Sequence, residues 1–599
     1  MDSLENKKVR IGCASAFYGD SQLAARQLVD KGEIDYLVFD YLAEATMAIL
    51  ARAKAKDTSL GYAVDFVTVA MRGVLADCAK KGIKIIANAG GVNVPACIDA
   101  LEALSNELGL SLKISGVYGD DLSGRVAEFA TADLTEAQSG KALPKKLASI
   151  NAYLGAEPIA DALTAGADIV VTGRIVDSAV TLAPLIYEFG WDMRDYDRLA
   201  QGSLAGHVIE CGAQCTGGNF TDWHLVPDFS DMSYPIAEVS KDGSFDICIP
   251  PGTGGMVTRF TVGEQILYEI GDPANYLLPD VACDFSAVEL TQIAPDVVRV
   301  TGAKGRAPGP NYKVCATYMD GYRLLGSFYI AGPRSLDKAE ASLNAWISRT
   351  ETYFKNNDIR PYSNVSLEYV GAEHAYGAHA YGTATREVMA KFGVHHESRA
   401  ALSFAAAELA YLATSASPGM SGMGGGRARP QPLMRVHSCF IDKDAIDVTV
   451  QLGDENIAAK CYAVPDVSKP AHSPEFIAEA VASEPHVAVP LEMIACNRSG
   501  DKGDNANIGV MARKPEYLDV IADQVTEESV ADYFSHLVSG TVTRFYVPGF
   551  SAFNFLLTEA LGGGGTASIR LDGQGKAYGQ MLLSMTVKVP VSWGLHGTD

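Results

Sequence analysis

The chain has no apolar run long enough to span a membrane, and its opening Met1-Asp-Ser-Leu-Glu-Asn-Lys-Lys-Val-Arg has no apolar stretch of the kind a secretory leader needs. Neither a membrane partner nor export is expected. Basic blocks are also missing. The 49 Lys and Arg are scattered among 72 Asp and Glu, for a formal charge of −23, so nucleic acid and anionic lipid are excluded as expected partners and the acidity reads as cytoplasmic solubility. No Gly-x-Gly-x-x-Gly follows the first strand, and no phosphate loop ending in Lys-Ser/Thr occurs anywhere, which argues against NAD and ATP. The eleven cysteines are odd in number and irregularly spaced, so reduced thiols are expected instead of a disulfide framework.

What is present is length and pattern. At 599 residues, 48% of them hydrophobic, the chain is too long for one core. The first two hundred residues alternate short β-rich runs with helical stretches, predicting an α/β, Rossmann-like parallel sheet with helices on both faces. The runs are Val9 to Cys13, Tyr36 to Phe39, Lys84 to Asn88, Lys113 to Val117 and Asp168 to Gly173. Each ends in a small or polar cluster, and in open α/β sheets ligands bind beyond the carboxyl ends of the strands. These clusters supply Tyr18 and Asp20, then Asp40 and Glu44, Asn88 with Gly90 and Gly91, Asp120 and Asp121, and finally Arg174 with Asp177. Past residue 245 the texture becomes strands with Gly-Pro turns, predicting an α+β domain over 246–464 with helices at 337–354 and 399–413. A Pro-bearing linker is expected over 465–485. Residues 486–599 read as a compact α+β module with helices at 529–538 and 553–560 and a last strand at 581–589.

The densest polar chemistry lies in Ala205 to Trp223, where His207, Glu210, Cys211, Cys215, Asn219 and Asp222 crowd a glycine-rich stretch. Cys211, His207 and Glu210 are candidates for a nucleophile with its base or for a proton relay. Catalysis by Cys211 needs a lowered thiol pKa, which a helix N-terminus after the glycine turn would provide. Buried structural cysteines in a tight turn are the alternative. Zinc is not expected, because no second Cys/His pair lies near Cys211 and Cys215. Asp177 and Glu44 are the preferred bases, although acids at strand-to-helix junctions also serve as caps. Arg174 is a candidate for binding a substrate carboxylate, or for pairing with Asp177. Arg427 and Arg429, in the Gly/Pro-rich loop at 417–432, have the chemistry to hold a phosphate. In the tail, Arg498, Asp501, Lys502 and Asn505 crowd one strand-to-strand loop, too polar for a plain hairpin. That loop is expected to reach the crevice or a subunit contact.

The segments Ile11 to Asp20, Asp40 to Glu44, Asn88 to Gly91, Thr172-Gly-Arg174 with Asp177, Gly206 to Asn219 and Tyr268 to Pro273 together resemble the acyclic terpene utilisation AtuA family. Asn497 to Gly509 resembles the ferredoxin-fold domain that follows it in that family. The resemblance implies a place in citronellol and geraniol breakdown, a route through branched acyl-CoA thioesters. The expected activity is a lyase acting on such a thioester or its carboxylate, by hydration, dehydration or carbon–carbon cleavage. No cofactor is expected beyond the coenzyme A of the substrate. A homo-oligomer and contact with pathway enzymes are expected. A non-catalytic partner of a pathway carboxylase and a metal-dependent hydrolase are the alternatives.

Overall fold

The computed structural model describes residues 7–129, 134–422, 426–459, 471–477 and 485–595. Its framework is a mixed sheet of eleven strands with a parallel centre. The first six strands in chain order are β1 (Lys8–Cys13), β2 (Tyr36–Phe39), β3 (Lys84–Ala87), β4 (Ile114–Tyr118), β5 (Ser149–Ala152) and β6 (Ile169–Thr172). Five of them run parallel in the order β1-β2-β3-β6-β4. Parallel strands must be covered on both faces, and the side chains divide accordingly. Leu37, Phe39, Ile85, Ala87, Ile169 and Val171 enter a core with helices Ala24–Lys31, Arg72–Lys81 and Val94–Glu107. Ile11, Cys13, Val38, Ile86 and Val170 face the opposite core, with helices Glu157–Thr164, Ala179–Phe189 and Tyr196–Ile209.

Residues 245 and 246 do not separate this sheet from the next domain. Phe245–Cys248, Val297–Thr301 and Glu289–Ala294 extend its β1 side, and the hairpin Thr449–Leu452 with Glu455–Ala458 returns to pair with β4. The reason is hydrogen bonding. Both sides of the parallel centre would otherwise present unpaired edges, and later segments satisfy them. β5 does the reverse: it leaves the first sheet and pairs with the long strand Asn311–Ala331 of a second, antiparallel sheet. Helices Ser335–Asn356 and Arg399–Ser415 pack on that sheet around Trp346 and Phe392.

The C-terminal module is a four-stranded antiparallel sheet in the order Ala495–Lys502, Asn505–Ala512, Ala552–Leu557, Val542–Val547. The module departs from expectation in three elements. Residues 552–557 are a strand and not a helix, and Tyr578–Leu582 is a helical turn, with the last strand confined to Thr586–Pro590. The strand at 552–557 is buried on both faces, so it lacks the alternation that marks a half-exposed strand. A short helix at Glu527–Tyr533 replaces the longer one expected, opened by a capping box at Thr526. The module docks on helix Arg259–Leu267 through Leu267, Cys496, Met511, Val547 and Ala552. Gly263 and Gly509 permit this approach, since a Cβ at Gly263 would lie 2.8 Å from Met511 Sδ and one at Gly509 would lie 2.4 Å from Leu267 Cβ. Within the 465–485 stretch, 465–470 and 478–484 lie outside the described residues. Ala471 and Ser473 bond to Asn275 and Asp272. No helix among the described residues is long and apolar enough to cross a membrane.

Candidate functional site

The three adjacent central strands β2, β3 and β6 end side by side and lead into a cluster of polar groups. Asp40 follows β2, Asn88 follows β3, and Arg174 and Asp177 follow β6. Helix Tyr196–Ile209 ends beside them with His207 and Glu210. Asn88 donates from Nδ2 to Asp40 Oδ1 at 2.5 Å and accepts from the Tyr41 backbone N–H at 2.7 Å, so it fixes the carboxylate to the strand end. Arg174 donates to Asp177 Oδ1 at 2.7 Å, and its guanidinium lies 4.1 Å from the centre of the Tyr153 ring. One carboxylate oxygen each from Asp40, Asp177 and Glu210 lies within 4.8 Å of the other two. Among the described residues this is the group whose spacing could hold a metal; Cys211 and Cys215 are not part of it.

Burial and mutual repulsion govern the charges. Burial, then Asp177, pushes Asp40 well above the usual carboxylate range, and Arg174 and Asn88 only partly oppose this. Burial likewise raises Glu210, with His207 pulling the other way. Burial works against a charged His207, but Glu210 and the Ile266 carbonyl outweigh it and the ring is raised above its ordinary value. Both ring nitrogens are committed, Nδ1 to Glu210 Oε1 and Nε2 to the Ile266 carbonyl, each at 3.1 Å. His207 is therefore a positioning residue for Glu210 and no base for Cys211.

A second group reaches the same crevice. Glu44 accepts from the Tyr153 hydroxyl at 2.7 Å and pairs with Lys313 at 3.4 Å. Burial opposes its charge, but Lys313 and Arg174 outweigh it and hold Glu44 well below the usual carboxylate range. It is an anchored anion and a poor proton acceptor. The C-terminal hairpin supplies Asp501 and Lys502. Asp501 pairs with Lys576 at 3.0 Å and Lys502 with Glu269 at 4.0 Å. The Lys502 side chain is 54% exposed, so desolvation opposes its ammonium only weakly, and Glu269, Tyr276, Asp177 and Glu44, which all face it, raise its pKa.

Several sequence candidates have other duties. Cys211 follows the C-terminal end of helix Tyr196–Ile209, the negative end of its dipole. Burial, then Glu210 and Glu269, pushes the thiol well above its ordinary value, the opposite of what a thiolate nucleophile needs. Cys215 is buried, its thiol against the Gly212 carbonyl. Asp222 forms a bidentate pair with Arg513 at 2.6 and 2.7 Å, and Arg498 donates to the Asn219 carbonyl at 2.7 Å, so these residues bind the C-terminal module to the glycine-rich segment. Asp20 is a loop cap that accepts from Ala16 N–H, Ser21 N–H and the Tyr234 hydroxyl. Tyr18 N–H donates to the Tyr41 carbonyl, and burial, then Asp65, raises its phenol. The backbone N–H of Gly90 is spent on the Thr172 carbonyl and that of Gly91 on Asn88, leaving no cradle for an anion. A Cβ at Gly91 would sit 2.4 Å from Leu50, so packing demands that glycine. Asn505 accepts from the Glu559 N–H. Arg427 and Arg429 are exposed beside Gln431, which pairs with Arg323, well along the long strand from Lys313. They do not join the crevice, and Gly424 and Gly425 of that loop lie outside the described residues.

The residues missed from the sequence are Tyr153, Lys313, Tyr276, Glu269 and Lys576. Tyr153 and Lys313 meet because Ala152 pairs with Val314, a register no local pattern announces. Glu269 had a usable signal: it lies within Tyr268 to Pro273, one of the segments that carry the family resemblance.

The comparisons with known proteins bear on most of the chain. The family model described as acyclic terpene utilisation family protein AtuA matches residues 9–452. The model described as AtuA ferredoxin-like domain matches residues 489–588, the C-terminal module. No curated protein matches the chain.

Proposed function

The chain belongs to the acyclic terpene utilisation AtuA family, and on that premise we propose that it is an enzyme acting on a branched acyl-CoA thioester or the derived carboxylate, by hydration, dehydration or carbon–carbon cleavage. The family places it in acyclic terpene utilisation. The observation that carries the reading is the cluster of opposed charges. Three carboxylates, Asp40, Asp177 and Glu210, face two cations, Arg174 from the end of β6 and Lys502 from the C-terminal module. Proton removal beside a carbonyl needs a base and a stabiliser for the developing enolate oxygen. Asp177, the most accessible of the three acids with 28% of its side chain exposed, is placed to exchange the proton. Arg174 and Lys502 supply the positive charge for a carboxylate or an enolate oxygen. In dehydration, the base takes the α-proton, the electron pair passes through the enolate, and the β-hydroxyl departs with a proton as water. Tyr276 is a hydroxyl donor in the same field of Glu210, Lys502 and Asp177.

The test is to incubate the full chain with branched enoyl-, hydroxyacyl- and glutaryl-type thioesters and their free acids, following mass. Gain or loss of one water, or scission into two products, is expected, with Asp177→Asn slowing turnover at least ~100-fold. No mass change with any of them, together with retention of a pathway carboxylase on the immobilised protein, would favour the non-catalytic partner.

A further inference from the structure

We propose that Asp40, Asp177 and Glu210 bind one divalent cation of the hard, oxygen-preferring class represented by Mg2+ and Mn2+. The first observation is placement. The three side chains come from the end of β2, from the turn after β6, on the other side of β3, and from a helix end, and a carboxylate oxygen from each lies within 4.8 Å of the others. Oxygens around an octahedral ion at 2.0–2.1 Å lie roughly 3 Å apart when adjacent and 4 Å when opposite. Small side-chain rotations close the difference.

The second observation is how the oxygens are used. Each carboxylate is held through one oxygen by a donor outside the trio: Asp40 Oδ1 by Asn88 at 2.5 Å, Asp177 Oδ1 by Arg174 at 2.7 Å and Glu210 Oε1 by His207 at 3.1 Å. Outer partners of this kind orient ligands in metal sites. The second oxygens of Asp40 and Asp177 accept no hydrogen bond among the described residues. Glu210 goes further: the residue is 7% exposed, and its Oε2 is buried with no partner. A buried carboxylate oxygen left unmet is costly, so an orphan here points to a ligand that completes it.

Chemistry selects the class. All three ligands are carboxylate oxygens, the donor set of Mg2+ and Mn2+ and not of thiolate-bound zinc. With Arg174 paired to Asp177, the ionised trio retains two negative charges, the complement of a divalent ion. Lys502 faces the same crevice but pairs with Glu269. Three protein ligands leave positions for water or a substrate oxygen. Only that last use of the ion rests on the function proposed above.

The experiment uses the full chain, stripped with EDTA and dialysed, titrated with Mn2+ by electron paramagnetic resonance and with Mg2+ by calorimetry. One Mn2+ per chain is expected, and Glu210→Gln and Asp177→Asn should each weaken it at least tenfold. Cys211→Ser should bind as the parent does. Melting of the metal-free variants near the parent temperature shows that the fold survives. Failure of the parent to take up a stoichiometric ion at millimolar Mn2+, or variants that titrate like it, overturns the proposal. The readout needs no substrate. A bound ion without turnover therefore counts only against the reaction, and turnover indifferent to EDTA without a bound ion counts only against the site.

Discussion

Glu264→Gln should abolish a pH dependence of stability that the wild-type chain carries between mildly acidic and alkaline conditions. Glu264 lies on helix Arg259–Leu267, 3% exposed, beneath the docked C-terminal module. Both carboxylate oxygens stand 3.3 Å from the Thr221 N–H, and the Thr221 hydroxyl is engaged with the Asn497 backbone. Burial pushes the carboxyl up to about 8, with Thr221 and Arg498 opposing. A carboxyl raised in the folded state holds a proton there that the unfolded chain has released. Folded protein thus binds more protons between pH ~4.5 and ~8, and stability falls as pH rises through that window. At about 1.4 kcal/mol per unit, the loss by pH 9 is on the order of 4–5 kcal/mol. Glutamine cannot ionise, so the variant and the parent should melt together near pH 5 and diverge steadily above it, the variant being several degrees more stable at pH 9. Thermal melts of both proteins at unit intervals from pH 5 to 9 read this directly, other titrating groups cancelling in the difference. Parallel melting curves across the whole range would refute the argument.

Two further outcomes follow from the geometry. Cys211→Ser should keep activity within about threefold of the parent, because the thiol has no base and faces Glu210 and Glu269; steady-state rates on whichever thioester reacts provide the check, and a loss above ~100-fold would restore the nucleophile. A chain ending at Pro485 should aggregate instead of folding quietly, since it uncovers Leu267 and Phe260, strips Arg513 from the partly buried Asp222 and removes Lys502 and Lys576. Size-exclusion chromatography of the truncated chain decides it, a monodisperse peak with native melting being the contrary result.

The parallel centre was legible because its strands are short continuous apolar runs, each closed by a polar cluster. The helices at 335–356 and 399–415 were legible from a charged outer face in the first and an Ala-rich composition in the second. That Asp40, Asn88, Arg174 and Asp177 come together follows from one rule of α/β sheets applied to those strand ends. The Cys211 segment was legible in part: it supplies Glu210 and His207 to the site, but dense polar chemistry in a glycine-rich stretch describes a docking surface as well as a reaction centre. Asn219 and Asp222 are spent on holding Arg498 and Arg513. Partners recruited across the fold, such as Lys313 for Glu44, depend on strand register between segments far apart in the chain. The strand at 552–557 looked helical for a simpler reason: Phe553, Asn554 and Phe555 are all buried, so no alternation survives.

The hairpin at 449–458 that closes the β4 side of the first sheet has a consequence for synthesis. During translation, β4 is complete more than three hundred residues before Thr449–Leu452 is made, and its neighbour β6 follows it early in the chain. For that interval the nascent sheet presents an open edge, free to pair with any extended segment, including the strand-rich stretch that follows. Its last pairing is among the most distant in the chain, so loop closure makes that step slow. Native sheet completion and escape from aggregation thus become one event, late in the ribosome's work, and chaperone dependence should concentrate there.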